Sequence, residues 1–208
     1  MKRRMLTGLA VGWAITFSLG TTPAQALDRD AASALIGQVT HEAVASLTAK
    51  GLSGEERAQA VRDLIARYSS SEKLSEEILG RAWATASAVD RARFENRFVE
   101  YVVALCAGML KDMSPETKIL VNGAEARGDL ILVHTVVTAG DDDRTPVEWS
   151  VAATPDGRLI LADVSTEGVS LIKTMRSDFR AVLFANGGRI EALIATMNHK
   201  IRLAANTN

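Results

Sequence analysis

The sequence contains a single cysteine, Cys106, among its 208 residues. One cysteine cannot form an internal disulfide, and it lies too far from the N-terminus to be a lipidated residue. An excess of charge of either sign is also missing, since 24 Lys and Arg face 25 Asp and Glu and leave a formal net charge of -1. Nonspecific nucleic-acid binding normally needs a basic surface, so we expect no nucleic-acid partner.

Catalytic and cofactor motifs are equally scarce. The one nucleophile pattern, Ser170-Leu171-Ile172-Lys173, lacks the companion motifs of the S-x-x-K enzymes, and Ser170 is better explained as the N-cap of a helix. His41, His134 and His199 lie on different predicted elements without the spacing of metal ligands. No glycine-rich phosphate loop occurs. The sequence therefore predicts a protein that is not an enzyme and has no cofactor or metal, with a hydrolase that uses Ser170 as the alternative.

Residues 1–26 have the three parts of a secretory signal peptide. A basic cluster at positions 2–4 precedes an apolar core from Leu6 to Leu19, which is shorter than the roughly 20 residues that span a bilayer. Ala24-Gln25-Ala26 fits the pattern that signal peptidase recognises, so we expect cleavage after Ala26. A short membrane anchor is the alternative, but no stop-transfer flank follows. We expect an exported protein that is free in the periplasm.

Residues 27–208 are long enough for one domain with a core and short for two, so we expect a single domain and a monomer. The first half has helical periodicity, and its clearest signals are the capping box of Ser53 and Glu56 and a second cap at Ser87. One short helix is expected to run from Leu74 to Trp83.

After Pro115 the apolar period changes from about 3.6 to about 2, which is typical of strands. Four strands are predicted, and two helices that hinge at Asn186-Gly187-Gly188 follow them. Helices, then an antiparallel sheet, then closing helices indicate an α+β fold. The predicted strands are Lys118 to Glu125, Leu130 to Thr138, Pro146 to Thr154 and Leu159 to Ser165.

Bulky apolar side chains recur on the long central helix, on the strands and on the penultimate helix. They are candidates for the wall of an apolar cavity between helices and sheet, although an ordinary packed core has the same periodicity. The candidate lining residues are Phe94, Phe98, Tyr101, Leu105, Val133, Trp149, Val151, Ile172, Met175, Phe179 and Leu183.

The segment 163–171, Asp-Val-Ser-Thr-Glu-Gly-Val-Ser-Leu, resembles the MlaC family of periplasmic phospholipid carriers, which is also classed with toluene-tolerance auxiliary proteins. Arg176, Phe179 and the 186–188 hinge continue the match downstream, and the segment 79–83 with Arg93 and Phe94 is similar to a second signature. Asp156-Gly157-Arg158-Leu159 departs from the family's usual Asp-Gly-x-Trp, and the hinge is similar to the hopanoid-associated HpnM branch.

This resemblance implies a soluble carrier whose apolar cavity holds lipid tails and leaves the head group at the mouth. It also implies two partners, an inner-membrane ABC transporter with its substrate-binding subunit and an outer-membrane lipoprotein complex. The ligand is a phospholipid or a hopanoid. The alternatives are a periplasmic protein that binds another small apolar ligand, and a non-catalytic assembly factor with a filled core.

Five residues match the family motif and are expected to have structural roles: Asp163, Glu167, Gly168, Ser170 and Arg176. Gly168 and Ser170 are expected to shape the turn from strand to helix. We expect Asp163, Glu167 and Arg176 to form an ion pair that fixes the closing helix over the sheet, rather than to contact a head group.

Overall fold

A computed structural model describes residues 28–110, 113–139 and 143–205. The predicted signal peptide and its cleavage site lie outside these residues. Seven helices and five strands follow one another along the described chain. They are α1 (Arg29–Leu47), α2 (Gly54–Tyr68), α3 (Ser71–Leu79), α4 (Arg81–Thr85), α5 (Ala88–Met109), β1 (Lys118–Arg127), β2 (Leu130–Ala139), β3 (Asp143–Ala153), β4 (Leu159–Thr166), β5 (Val169–Ser170), α6 (Leu171–Ala185) and α7 (Ile190–Ala205).

The predicted α+β class is confirmed. All strands join one antiparallel sheet in the order β1-β2-β3-β4-β5, as expected for strands connected by short turns. The four predicted strands are present, and β5 adds a short fifth strand that the sequence did not reveal because two residues carry no periodicity. In the described segments no helix is long and apolar enough to cross a membrane.

Capping residues explain where the helices begin. The Ser53 Oγ accepts from the Glu56 backbone N at 3.2 Å while the Glu56 carboxylate accepts from the Ser53 N at 2.7 Å, so the predicted capping box is confirmed. Ser87 caps α5 through the Asp90 N at 3.1 Å. The single helix predicted over 74–83 was wrong. Gly80, with φ +53°, divides it into α3 and α4, because a left-handed residue cannot continue an α-helix.

The apolar residues form three clusters rather than one continuous core. The largest contains residues from all five helices from α3 to α7, including the rings of Phe94, Phe98 and Phe179. A second cluster packs Ala32 and Ile36 of α1 against the sheet. A third, smaller cluster lies where α1, α2 and α5 meet. The cavity described next lies between these clusters.

Candidate functional site

An apolar cavity of about 250 Å³ lies between the helices and the sheet. Helices α1, α2 and α5 supply most of one wall, and strands β3 and β4 with the start of α6 supply much of the other. The apolar lining consists of Val39, Ala43, Leu47, Val61, Leu64, Ile65, Leu74, Phe98, Val99, Val102, Leu110, Met113, Ile119, Trp149, Leu161, Ala162, Val164, Leu171 and Ile172.

Helical periodicity places these side chains on the wall. In α1 the four-residue spacing of Val39, Ala43 and Leu47 directs one stripe into the cavity, and the face of α5 with Phe98 and Val102 meets it. A space of this composition is suited to hydrocarbon, because each buried methylene gains about 0.8 kcal/mol relative to water.

The few polar groups on the wall are mostly engaged by the protein. Thr40 donates to the Ile36 carbonyl at 2.8 Å, and Ser69 donates to the Leu161 carbonyl at 3.1 Å, which ties the end of α2 to β4. Burial raises the pKa of the Tyr68 phenol, and the Glu42 carboxylate nearby adds to the rise. Burial also raises the pKa of the Cys106 thiol to about 11, so the wall is uncharged there at neutral pH.

Ion pairs join α2 to its neighbours. The Arg62 guanidinium binds Glu100 of α5 through two contacts of 2.9 Å, and Arg67 binds Glu42 of α1 at 2.5 Å. Arg57 adds a bond of 2.7 Å to the Leu47 carbonyl at the end of α1. This helix, which forms one side of the cavity, is therefore held by contacts at its polar face as well as by its apolar cluster.

The family motif builds the junction between sheet and closing helix. The Asp163 carboxylate accepts from the Val164 N at 2.8 Å, from the Ile172 N at 3.0 Å and from the Ser170 hydroxyl. Ser170 in turn caps α6 by accepting from the Lys173 N at 3.0 Å, as predicted. Since the Ser170 Oγ meets the Lys173 backbone, it occupies the position of a cap and not that of an activated nucleophile.

A two-residue turn precedes this junction. Glu167 and Gly168 both have positive φ, +53° and +77°, which is the pattern of a type I′ hairpin turn between β4 and β5. Gly168 thus shapes the turn, as expected.

The ion pair expected among Asp163, Glu167 and Arg176 is wrong. Arg176 instead binds Glu77 of α3 at 2.5 Å, where α3 packs against α6. The Asp163 carboxylate accepts hydrogen bonds from the Val164 and Ile172 backbone N–H groups instead.

Of the predicted lining residues, the structure brings Phe98, Trp149 and Ile172 to the cavity wall. Trp149 is fixed there by a hydrogen bond of 2.8 Å from its indole Nε1 to the Thr135 hydroxyl on β2.

The other predicted lining residues lie in packed clusters, away from the cavity wall. Phe179 packs edge-on against Phe94, with ring centroids 6.1 Å apart, and against Tyr101 at 5.8 Å. Their role in binding lipid stays a prediction. The helical cluster contains Phe94, Tyr101, Leu105, Met175, Phe179 and Leu183, and the cluster beneath the sheet contains Val133 and Val151.

Sequence reasoning missed the contribution of α1 and α2 to the wall. Their apolar stripes are visible in the sequence, with Val39 and Ala43 on α1 and Val61, Leu64 and Ile65 on α2. Nothing in a periodic pattern tells whether a stripe faces a filled core or a space. A small signal is residue size, because Val and Ala on these stripes leave more room than the Phe residues of α5.

The described residues offer no group of three or more His, Cys, Asp or Glu that could hold a metal ion. The chemistry available at the cavity is therefore apolar contact, with isolated hydroxyls and one carboxylate at its edge.

Comparison with known proteins gives a family and a fold. A family model described as MlaC protein matches residues 37–199. Among solved structures, a phospholipid-binding protein from Ralstonia solanacearum, in complex with a phospholipid, superposes with a TM-score of 0.74 at 18% identity. The alignment covers 84% of this chain and 98% of that one. A search of curated proteins finds no match.

Proposed function

The chain belongs to the MlaC family, and we propose from this that it binds phospholipid and carries it through the periplasm between the outer and inner membranes. The proposed partners are an outer-membrane lipoprotein complex and an inner-membrane ABC transporter with its substrate-binding subunit. The observation that carries the proposal is the apolar cavity between α1, α2, α5 and the sheet. The fold similarity to a protein in complex with a phospholipid supports it.

The physical need for such a carrier follows from the cost of wetting acyl chains. Two chains contain roughly thirty methylenes, and exposing them at about 0.8 kcal/mol each costs on the order of 24 kcal/mol. With a prefactor near 6 × 10¹² s⁻¹, a barrier of that height permits unaided escape only about once per day. A protein that offers an apolar cavity replaces water as the surroundings of the chains and removes most of that barrier.

The cavity volume bears on how loading occurs. Pockets that enclose a drug-sized ligand measure roughly 300–1,000 Å³, and a cavity of about 250 Å³ is smaller than that. A whole diacyl lipid therefore requires the walls to separate. We expect helix α2 to be the wall that moves, because its apolar cluster has the fewest buried residues and its other attachments are partly exposed ion pairs such as Arg67–Glu42, each of which contributes little stability.

The proposal is tested by native mass spectrometry and organic extraction of the protein purified from its periplasm, followed by uptake of labelled phospholipid from vesicles. We expect one bound phospholipid per chain. Extraction of a hopanoid instead would identify the other lipid class. Recovery of no lipid, together with failure to accept labelled lipid, would contradict a carrier function. The mass of the mature chain also tests the predicted cleavage after Ala26.

A matched pair of variants assigns uptake to the cavity. Ala43→Phe places a ring on the cavity wall, whereas Ala181→Phe makes the same change at an exposed position of α6. We expect Ala43→Phe to lower uptake at least tenfold and Ala181→Phe to leave it unchanged. Equal uptake by both variants, with folding verified by circular dichroism, would place the lipid elsewhere.

A further inference from the structure

A second depression, a groove of about 540 Å³, lies along another face of α1. Gly37, His41, Ala45 and Thr48 form that face at intervals of three or four residues, and the segment from Pro115 to Ile119 forms the opposite side. Thr40 and Ile119 line both this groove and the apolar cavity. The two spaces are therefore neighbours that share a wall, and their linings differ in polarity.

The single glycine of α1 lies in this groove. A glycine inside a helix costs about 1 kcal/mol relative to alanine, and Gly37 has an ordinary helical backbone rather than a positive φ. A Cβ built at Gly37 would meet no atom within 4 Å. Neither backbone geometry nor packing therefore requires a glycine at this position. A side chain longer than a methyl group at this position would therefore enter the groove.

The polar groups in the groove are hydrogen-bond donors, so they suit a ligand group that can only accept hydrogen bonds. Thr117, which is 8% exposed, accepts from the Ser114 N at 3.1 Å, and within the described residues its own hydroxyl proton has no acceptor. His41 is exposed and supplies a ring N–H. Among the described residues that line the groove there is no carboxylate, although Glu116 and Glu42 adjoin lining residues in the chain. A phosphodiester offers only acceptor oxygens and carries a negative charge, so these two donors suit it.

We propose that this groove holds the phosphate of the lipid whose acyl chains occupy the cavity, with the Thr117 hydroxyl and the His41 ring as its hydrogen-bond donors. This inference rests on the proposed function and extends it from the tails to the head group. Thr40 and Ile119 border both spaces, so the glycerol portion would lie beside these two residues.

Two variants that introduce the same ring test whether the groove is occupied. Gly37→Phe fills the groove, and Ala181→Phe is the control at an exposed position of α6. Uptake is measured with vesicles that contain labelled phosphatidylglycerol. We expect Ala181→Phe to load as the wild type does and Gly37→Phe to load at least tenfold less. Wild-type loading by a folded Gly37→Phe protein would overturn the assignment of the groove.

Two further variants test the donors, with diacylglycerol as the matched probe because it has the same tails and no phosphate. We expect Thr117→Val and His41→Ala each to weaken phosphatidylglycerol uptake about tenfold, as for loss of a hydrogen bond to a charged group. Diacylglycerol uptake should not change. Equal effects on both lipids, or no effect on either, would overturn the proposed phosphate contact.

Inorganic phosphate distinguishes a lipid head group from the free ion. We expect millimolar phosphate alone to leave the NMR signals of Thr117 and His41 unshifted, whereas loaded phosphatidylglycerol shifts them. Shifts with inorganic phosphate alone would overturn the assignment to a lipid. If the wild type takes up neither phosphatidylglycerol nor diacylglycerol, the proposed function itself fails. If it takes up both and the Gly37→Phe, Thr117→Val and His41→Ala variants match it, only the groove assignment fails.

Discussion

Arg62 and Glu100 form a two-contact ion pair, with the Arg62 Nε 2.9 Å from one carboxylate oxygen of Glu100 and the Nη2 2.9 Å from the other. The pair joins α2 to α5 beside the cavity, and Glu55 adds a third contact to the same guanidinium at 3.0 Å. Two parallel hydrogen bonds fix the angle between the helices as well as their distance. This pair is one of several contacts that hold α2 beside the cavity.

Glu100→Gln should lower the free energy of unfolding at neutral pH by about 0.5–1 kcal/mol, a modest amount because both side chains are partly exposed to screening solvent. The hydrogen bonds from Arg62 lower the pKa of Glu100 below its ordinary value, against an opposing effect of burial. A lowered pKa means that the stabilisation is present above the ordinary carboxylate pKa and disappears as pH falls through the lowered value. Urea unfolding between pH 7 and pH 3 measures this.

The difference in the free energy of unfolding between the wild type and Glu100→Gln should therefore shrink below about pH 4.5. Glu116→Gln, at an exposed position in the turn before β1, is the control. A difference between wild type and Glu100→Gln that stays constant from pH 7 to pH 3 would show that the ion pair does not contribute to stability in solution.

Cys106 is a native probe of the cavity because it is the only cysteine and lies on the wall. Burial raises the pKa of its thiol to about 11, so the reactive thiolate is scarce at neutral pH. Labelling with an uncharged alkylating reagent at pH 8 should be about a hundredfold slower than for a free thiol, and slower still once lipid is loaded. Mass spectrometry follows the reaction, and the Cys106→Ala variant gives its background. A labelling rate that loading leaves unaltered would place the lipid away from Cys106.

Asp163 should stabilise the fold more than Ser170 does. Asp163→Ala leaves two backbone donors and the Ser170 hydroxyl without their acceptor and should cost about 2–3 kcal/mol. Ser170→Ala removes one helix cap and should cost about 1 kcal/mol. The double variant should lose less than the sum, because the two residues share a hydrogen bond. Urea denaturation measures all three, with the exposed Ser177→Ala as control. Strict additivity would refute the coupling.

Substitution of Phe179 tests whether this residue stabilises the fold or contacts the lipid. It is 1% exposed and packs against Phe94 and Tyr101 away from the cavity. Phe179→Leu should lower stability by on the order of 1 kcal/mol while lipid uptake stays within about twofold of the wild type. Val102→Phe, which enlarges a side chain on the cavity wall, should lower uptake with little loss of secondary structure. Loss of uptake by a stable Phe179→Leu protein would support the sequence-based prediction that Phe179 contacts lipid.

Much of the secondary structure was predictable because its signals are local. The box of Ser53 and Glu56 and the caps at Ser87 and Ser170 depend on residues within four positions of each other. The sequence did not predict the division at Gly80, because the apolar spacing continues across this residue and only the backbone conformation reveals the break. The sequence did not predict the ion pair between Arg176 and Glu77, because the two residues are 99 positions apart in the chain.

The sequence by itself determined the succession of helices, four long strands and closing helices, together with the helix caps, because each follows from residues close together in the chain. Only the tertiary structure decided which apolar stripes enclose a cavity. Phe98 and Phe179 have the same chemistry and are both buried on helices, yet one lies on the cavity wall and the other does not. The difference arises from how closely neighbouring elements approach, and that distance is set by packing across the whole domain.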